Sequence, residues 1–353
     1  MVHVLGLDIG GANTKAAYVS SHHGKVSVSR VAIEYFPVWK EPNKLTAVLL
    51  KLKRQLRAKA LEAVGVTMTA ELSDAYQTKR EGVNHILRCV QKAFPNLAIY
   101  VLNTNAELES IDTANRGPLG VAAANWAATG WLVGKYVKDC IIVDVGSTST
   151  SIIPLVGGRL AACGKTDLDK LMCGELVYTG SLRTNVAAIV QSIPVRGGTA
   201  KVASELFALS GDVHLALGNI NETQYNSETA DGRGKTVEQA LARLARVICA
   251  DTEMLSKQEI INIAGFIYGK QLEQIAEGLL KVYERTKPKV SGKLPVVVTG
   301  LGKEFLARRA AEMISCEEII DSSSLLPAHA DLATPAYGVA LVTSARLEGE
   351  KVG

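Results

Sequence analysis

Asp8 and Asp144 each stand at the end of an apolar run, and a turn rich in glycine and hydroxyl side chains follows each of them. The two segments read "LGLDIGGANTK" over 5–15 and "VDVGSTSTS" over 143–151. Backbone N–H groups of glycine turns and the hydroxyls of Ser and Thr bind phosphate oxygens. A carboxylate repels phosphate but is a typical ligand of Mg²⁺, often through water. The pattern therefore predicts a polyphosphate site with Mg²⁺ as cofactor and with Asp8 and Asp144 on the metal side.

A third glycine turn, in "TGLGKEF" at 299–305, follows an apolar run late in the chain. Lys15, at the end of the first segment, is a candidate cation beside a bound phosphate, although an exposed lysine of a return strand would look the same. Two hairpins and a third turn form a more specific constellation than one turn would. The predicted phosphate-binding residues are Gly10, Gly11, Asn13, Thr14, Lys15, Gly146, Ser147, Thr148, Ser149, Gly300 and Gly302.

The elements that position these residues follow from the apolar periodicity. Each aspartate segment predicts a β-hairpin, in which a return strand begins at Thr14 or Thr150. A third strand is predicted at 26–36, and amphipathic helices then alternate with apolar strands at 63–69 and 97–102. A meander of strands followed by alternating helices and strands predicts an α/β domain.

The second half of the chain starts with the same hairpin pattern but contains a long stretch of predicted helices and loops at about 165–290. Helices are predicted near 236–249 and 256–285, and a last helix begins near Pro335. The charged, glycine-containing loop at 228–236 is a candidate lid over a binding site.

The chain has 353 residues, more than one hydrophobic core normally supports. We therefore predict two domains. The first comprises residues 1–138 and is completed by a C-terminal helix over 333–353. The second comprises residues 139–332 and carries the insertion.

The composition excludes several classes of partner. A formal net charge of +4 over this length is too small to indicate a nucleic-acid-binding protein. The six cysteines form no CxxC pair, so we expect reduced thiols in a cytoplasmic protein without structural zinc. The N-terminus lacks the features of an export signal. The uncharged segment 117–134 is only weakly apolar, and we expect a buried helix there and no membrane association.

The order of hairpin, connecting helix, hairpin, Gly-x-Gly turn and second connecting helix resembles the superfamily of actin, sugar kinases and Hsp70. That resemblance implies two ribonuclease-H-like domains with a central cleft. Within the superfamily, "GLDIGGANTK" and "VDVGSTSTS" are similar to the hydantoinase A and oxoprolinase branch, and the match spans nearly the whole chain. One departure is Ser151, where that branch usually has Asp, so any metal role rests more heavily on Asp144.

Four further segments are similar to a small subfamily of that branch that works in methanofuran biosynthesis. They are "TMTAELSDAYQTKREGV", "GELVYTGSLRTNV", "SELFALSGDVHLALG" and "ETADGRGKT". The resemblance implies a transferase that joins an aminomethylfuran-methyl diphosphate to the phenol of γ-glutamyltyramine, which forms an aryl ether and releases pyrophosphate. The loops that grip the ATP phosphates elsewhere in the superfamily would here grip the diphosphate leaving group.

A phenol has an ordinary pKa near 10, so attack is easier when a base removes its proton. The candidate bases are Asp74, Asp212 and His214, and the spacing of the last two predicts one face of a strand. Lys79 and Arg80 are candidates for holding a glutamyl carboxylate or a phosphate. Less specific candidates are Arg183 for the same carboxylate, Asp231 and Arg233 for a loop that closes over the substrate, and Glu222 and Tyr225 for the pocket wall or a metal ion.

Two other functions stay open from the sequence. An ATP-dependent small-molecule kinase or a hydantoinase-like hydrolase would use the same turns and place adenine at Gly300–Gly302. A nucleotide-gated regulatory protein would carry a partner-binding segment, and no stretch has the look of one. The identity of the base, the number of metal ions and the choice between a monomer and a homodimer also stay open.

Overall fold

The computed structural model describes residues 1–328 and 330–350, and it confirms the predicted α/β class. The strands of the described residues, numbered in chain order, are β1 Val2–Ile9, β2 Asn13–His22, β3 Lys25–Tyr35, β4 Ala63–Met68, β5 Ala98–Leu102, β6 Leu108–Ser110, β7 Cys140–Val145, β8 Thr150–Val156, β9 Arg159–Leu160, β10 Leu176–Val177, β11 Ser192–Val195, β12 Gly198–Lys201, β13 Val296–Thr299 and β14 Ile319–Asp321.

The helices are numbered in the same way. They are α1 Leu45–Gln55, α2 Lys79–Ala93, α3 Ile111–Arg116, α4 Asn125–Gly134, α5 Asp167–Cys173, α6 Val186–Ile189, α7 Ser210–Ala216, α8 Val237–Arg246, α9 Lys257–Thr286, α10 Arg308–Met313 and α11 Thr334–Leu347. Short 3₁₀ turns and one π-helical turn at Lys303–Ala307 connect some of them.

The first domain is built on a sheet of order β3-β2-β1-β4-β5-β6. β1, β2 and β3 pair antiparallel, and β1, β4 and β5 pair parallel. Leu45, Leu49 and Leu52 of α1 are fully buried against one face of this sheet, as their spacing of three and four residues predicts. The predicted hairpin, third strand, helices and parallel strands of this half are therefore confirmed.

The second domain repeats the same plan with the order β10-β8-β7-β13-β14. β7 and β8 form the second predicted hairpin, and β13 and β14 run parallel to β7. Ile275, Leu279 and Val282 of α9 pack under this sheet together with Ile141 and Val143 of β7. The equivalent strands β1 and β7 thus both end where a glycine turn begins, at the cleft between the two domains.

The helices α4 and α11 lie between the two sheets. Small residues allow this close packing, since a Cβ added to Gly338 of α11 would lie 2.6 Å from the carbonyl oxygen of Ala128 in α4. Gly6 of β1 likewise leaves room only for the backbone of α11 at Ala336. A larger side chain at either glycine would clash with the backbone packed against it. The two domains are therefore connected through a tightly packed pair of helices.

Some expectations need correction. The insertion at 165–290 also contains strands, because β10 joins the second sheet and β11 and β12 form a separate hairpin. The segment 117–134 contains a buried helix, but α4 begins only at Asn125. Within the described residues α11 ends at Leu347, and residues 351–353 of the predicted helix lie outside them. Among the described residues, no helix combines the length and apolarity needed to cross a bilayer.

Candidate active site

The turns of the two hairpins have the same local geometry. In the first, the N–H of Gly10 donates to the carbonyl oxygen of Asn13 at 3.0 Å. In the second, the N–H of Gly146 donates to the carbonyl oxygen of Ser149 at 2.9 Å. A Cβ on Gly10 would lie 2.7 Å from the Asn13 carbonyl oxygen, so glycine is required for this close approach. The repeated sequence pattern is therefore a repeated structure.

The two turns meet across the cleft. Asn13 donates a hydrogen bond from Nδ2 to Oγ of Ser147 at 3.3 Å. Asn13 Oδ1 and the hydroxyl of Thr14 are buried and have no hydrogen-bond partner in the protein. Buried polar atoms without partners are rare in folded proteins. Their presence beside the two turns indicates a place where a polar ligand completes the hydrogen bonding.

Asp8 lies at the end of β1 and is 5% exposed. Burial raises the pKa of its carboxyl to about 6, although Lys15 lowers this pKa and the nearby Asp144 raises it. Oδ1 of Asp8 has no hydrogen-bond partner. A buried carboxylate without a partner is costly, and a bound cation would remove that cost.

Asp144 occupies the equivalent position at the end of β7. Burial raises the pKa of its carboxyl, and Lys15 lowers it. Lys15 lies directly opposite Asp8 in the β1/β2 register, whereas Ser151 lies opposite Asp144 in the β7/β8 register. Lys15 therefore lowers the pKa of both aspartates. At the equivalent position the second hairpin has the neutral hydroxyl of Ser151 instead of a cation.

These residues fit a magnesium ion shared with a phosphate ligand. Mg²⁺ commonly uses one or two protein carboxylates, phosphate oxygens and water, and Asp8 and Asp144 supply the carboxylates. The described part of the chain contains no group of three or more His, Cys, Asp or Glu side chains arranged to hold a metal ion. The site therefore does not resemble a metal cage made by the protein alone.

Gly300 and Gly302 form the third turn, after β13. Gly300 has φ of +87°, and a Cβ on it would lie 2.5 Å from Oδ1 of Asp144. The N–H of Gly302 donates to the carbonyl oxygen of Val145 at 3.0 Å. In the described structure these two glycines therefore hold the end of β7 in place. The contact supports a role of this turn in positioning Asp144.

A cavity of about 500 Å³ opens from the hairpin turns into the cleft. Its wall combines hydroxyls of the second hairpin with aromatic, aliphatic and charged side chains. It is lined by Gly11, Trp39, Thr69, Leu72, Ser73, Asp74, Ala123, Asn125, Trp126, Thr148, Ser149, Ser151, Asp167, Lys170, Leu176, Tyr178 and Arg183. The volume is in the range of small-molecule sites.

The structure brings some of the other candidates to this cavity. Asp74 lines it and is exposed, and Arg80 is exposed in the first turn of α2. Lys79 is already engaged, since its Nζ lies 2.7 Å from Oδ2 of Asp167 and 3.8 Å from Oε1 of Glu71. Because Asp167 belongs to the second domain, this ion pair connects the two sides of the cleft.

The prediction that Asp212 and His214 share one face of a strand is wrong. Both lie in helix α7 and both are fully buried. Asp212 forms an ion pair with the buried Arg243 at 2.8 Å, and its pKa is raised by burial. Their chain segment carries alternating apolar residues that suit either a strand or a short buried helix, and tertiary packing selects the helix.

His214 has partners on both ring nitrogens. Nε2 lies 3.0 Å from Oε1 of Gln271, and Nδ1 lies 3.2 Å from Nδ2 of Asn219. Burial lowers the pKa of the imidazole to about 3, so it is neutral at physiological pH. Neither Asp212 nor His214 lines the cavity at the hairpin turns. These contacts support a structural role for His214 in the inserted segment.

The weaker candidates divide in the same way. Arg183 lines the cavity, donates from a guanidinium N–H to the hydroxyl of Thr148 at 3.0 Å and lies over the ring of Trp39. Asp231 pairs with Arg243 and Arg246 at 3.2 and 3.1 Å. The other three candidates, Arg233, Glu222 and Tyr225, do not line the cavity. Arg233 and Glu222 are exposed, whereas Tyr225 is buried and its hydroxyl donates to Asp212.

The sequence analysis missed residues that the fold places in or beside the cavity. Lys170 is 2% exposed, and burial lowers its pKa to about 8. Glu71 is 1% exposed, and burial raises its pKa to about 7. Two of the three tryptophans of the chain, Trp39 and Trp126, line the cavity. Because tryptophan is rare in this chain, its positions could have been singled out from the sequence as candidates. Lys170 and Glu71 stand in segments without a motif, so the sequence offered no reason to select them.

Comparisons with known proteins identify the family and the fold. A profile of the hydantoinase/oxoprolinase family matches residues 62–346. The chain is 39% identical over 348 residues to the (4-{4-[2-(γ-L-glutamylamino)ethyl]phenoxymethyl}furan-2-yl)methanamine synthase of Methanocaldococcus jannaschii. The aligned residues make up 98% of this chain and 99% of that protein. It is 38% identical over 215 residues to the synthase of the same name from Methanococcus vannielii. This alignment covers 60% of this chain and 94% of that protein.

Among solved structures, the nucleotide-free structure of acetone carboxylase superposes with a TM-score of 0.55 at 11% sequence identity. The superposition covers 96% of this chain and 70% of that chain. At this identity the similarity concerns the fold alone.

Proposed function

This chain belongs to the hydantoinase/oxoprolinase family, and from that premise we propose that it is a (4-{4-[2-(γ-L-glutamylamino)ethyl]phenoxymethyl}furan-2-yl)methanamine synthase. The proposal is supported by 39% identity across 98% of the chain to a synthase of that name. The product contains an aryl ether between a furan methylene and the phenol of γ-glutamyltyramine. The proposed substrates are therefore that phenol and an aminomethylfuran-methyl diphosphate.

The single observation that carries the chemical assignment is the meeting of the two glycine turns. Asn13 and Ser147 approach to 3.3 Å, so N–H and hydroxyl donors of both domains surround one small volume. A diphosphate placed there would accept hydrogen bonds from both turns. Such donors stabilise negative charge as it develops on the leaving group, and losing one commonly costs about 3 kcal/mol of barrier.

Lys15 supports the same assignment. It lies opposite Asp8 in the hairpin and lowers the pKa of both Asp8 and Asp144. A fixed cation close to the turns would attract the diphosphate group and balance the charge of the released pyrophosphate.

We propose that Asp8 and Asp144 hold Mg²⁺ when the diphosphate is bound. The ion would neutralise part of the charge on the leaving oxygens. The two carboxylates need such a partner, because burial raises the pKa of each and Oδ1 of Asp8 has no hydrogen bond in the protein.

The rest of the cavity suits the acceptor. Trp39, Trp126, Leu72 and Tyr178 provide aromatic and aliphatic surface for a furan and a phenyl ring. Arg183 offers a guanidinium to the glutamyl carboxylate at the same wall. Burying both rings would also keep water away from the electrophilic furan methylene, so that the phenol is the nucleophile that reacts.

We also propose that the reaction takes place in the cytoplasm. All six cysteines are free thiols in the described structure, which fits a reducing compartment.

One assay tests the proposed function. Purified protein is incubated with Mg²⁺, the furan diphosphate and γ-glutamyltyramine, with and without ATP, and ether and pyrophosphate are quantified. We expect equal amounts of both products and no dependence on ATP. ATP hydrolysis or phosphorylation without ether formation would overturn the proposal in favour of a kinase or hydantoinase-like activity.

A further inference from the structure

Lys170 is an unusual group in the wall of the cavity. It is 2% exposed, and its Nζ lies 3.5 Å from the centre of the Trp126 ring. Nζ has no hydrogen-bond acceptor within reach, although an ammonium group carries three donors. The indole Nε1 of Trp126 is also buried without a partner. Two unpartnered donors at one cavity wall indicate that an oxygen atom of a ligand completes them.

The neighbouring Glu175 forms a buried ion pair with Lys170 but accepts no hydrogen bond from it. Nζ lies 3.6 Å from Oε2 of Glu175, which is beyond hydrogen-bond distance. Glu175 is already satisfied, because it accepts from the backbone N–H groups of Cys163 and Gly164 at 2.7 and 3.0 Å and from the guanidinium of Arg285. Lys170 is therefore not needed to pair this carboxylate.

The other titratable groups near Lys170, Asp167 and Cys173, have partners of their own. Asp167, on the same helix, pairs with Lys79 of the first domain at 2.7 Å. Burial lowers the pKa of Lys170 to about 8, while Glu175, Cys173 and Asp167 raise it. Near pH 8, Lys170 is therefore a neutral amine in a substantial fraction of the molecules, and a neutral amine can accept a proton.

The location of Lys170 is right for the acceptor substrate. Lys170 lines the same cavity as Ser149 and Ser151 of the second hairpin, where the diphosphate is proposed to bind. The adjacent ring of Trp126 and the side chain of Leu176 form an apolar surface that suits a phenyl ring.

We propose that Trp126 and Lys170 form the phenol subsite and that the Lys170 amine takes the proton of the phenol. The inference rests on the proposed synthase function and names the base that this function requires. Lys170 would contact the reacting oxygen, so it is assigned as a catalytic residue.

The step is balanced in atoms and electrons. The phenolic O–H bond breaks, and its proton moves to Nζ of Lys170. The phenolic oxygen forms a bond to the furan methylene, and the bond from that carbon to the diphosphate oxygen breaks. The electron pair of the broken bond leaves with pyrophosphate, and the Lys170 ammonium returns its proton to water after the product leaves.

The test compares the wild-type protein with Lys170→Met and Lys170→Arg, and uses Lys281→Met as a control at an exposed lysine of α9. The rate of ether formation is measured from pH 6 to 10. We expect kcat/KM of the wild type and of the control to rise with an apparent pKa near 8. Both Lys170 variants should lose about 100-fold or more and show no such rise, since neither side chain can act as a base in this range.

A second substrate separates a chemical role from a structural one. In a ring-fluorinated γ-glutamyltyramine the phenol is more acidic and needs less help from a base. The Lys170 variants should recover much of their lost rate with it, and their affinity for inorganic pyrophosphate with Mg²⁺ should stay within a few-fold of the wild-type value. An equal loss with both acceptors, or an unchanged pH profile in Lys170→Arg, would overturn the inference. Absence of ether with the wild type would instead overturn the proposed function.

Discussion

The side-chain amide of Asn13 donates to the hydroxyl of Ser147 at 3.3 Å, and this contact joins two turns that belong to different domains. In the repeated hairpin Asn13 corresponds to Ser149 and Ser147 corresponds to Gly11, so the contact joins non-equivalent positions of the two turns. This contact is the basis for our proposal that both turns bind the same ligand. It also makes the site sensitive to how the domains are oriented.

Asn13→Ala and Ser147→Ala should each weaken the binding of pyrophosphate with Mg²⁺ by about five- to tenfold, because each removes about 1 kcal/mol of hydrogen bonding. The double variant should lose less than the product of the two effects, since the residues contact each other. Calorimetric titration measures the three affinities. Asn96→Ala, at an exposed loop position, is the control. Independent effects would mean that the two turns do not cooperate.

Asp8→Asn and Asp144→Asn keep the size of the side chains but remove the charge that a magnesium ion requires. We expect each to lower kcat by about 100-fold or more and to raise the Mg²⁺ concentration needed for half-maximal activity. His22→Ala, at the exposed end of β2, should have near wild-type activity. Nearly full activity of both Asp variants would show that the metal assignment is wrong.

His214 should make the protein less stable in acid. Its pKa in the folded protein is about 3, below the value near 6.5 expected in the unfolded chain, so the unfolded chain binds the proton first as pH falls. Stability from this group is present above about pH 6.5 and is lost between that pH and about 3. Between pH 7.5 and 4.5 the loss should reach about 3 kcal/mol.

Urea unfolding at several pH values measures this slope, and His214→Gln should reduce it. The exposed His22→Gln should leave it unchanged. A variant at His214 that abolished ether formation while it kept normal stability and pyrophosphate affinity would favour the original prediction of a catalytic histidine.

Gly300→Ala should disturb the site through Asp144. The new Cβ would lie 2.5 Å from Oδ1 of that residue, and φ of +87° is unfavourable for alanine. We expect the free energy of unfolding to fall by about 2 kcal/mol and turnover to fall with it. Gly265→Ala in α9, where nothing lies within 4 Å of a new Cβ, should be neutral or slightly stabilising. Thermal unfolding and the ether assay report both effects.

Much of the fold could be predicted because local pattern and tertiary environment agree. The apolar runs before Asp8 and Asp144, the glycine turns after them and the spacing of Leu45, Leu49 and Leu52 each have one satisfactory structure. Local preference and burial then point to the same answer, as expected for a natural sequence. The same agreement made the two glycine turns recognisable as motifs.

The acid and base groups were harder to predict because their properties depend on what surrounds them. "SGDVH" is compatible with a strand or a helix, and packing against α8 and α9 selects the helix and buries Asp212 and His214. Lys170 stands in "DLDKLMC", which has the features of an ordinary capped helix. That lysine is buried in the folded protein, where Trp126 of the first domain packs against its ammonium group.

The order of residues along the chain was therefore sufficient to predict the paired hairpins, their glycine turns and the α/β class. Those features depend on neighbours within a few positions, and hydrogen bonds of a tight turn are local. The shared cavity, the single lysine that serves both aspartates and the buried amine beside an indole ring arise from contacts between distant segments. Burial and long-range charge set their pKa values, and these quantities exist only once the two domains have packed together.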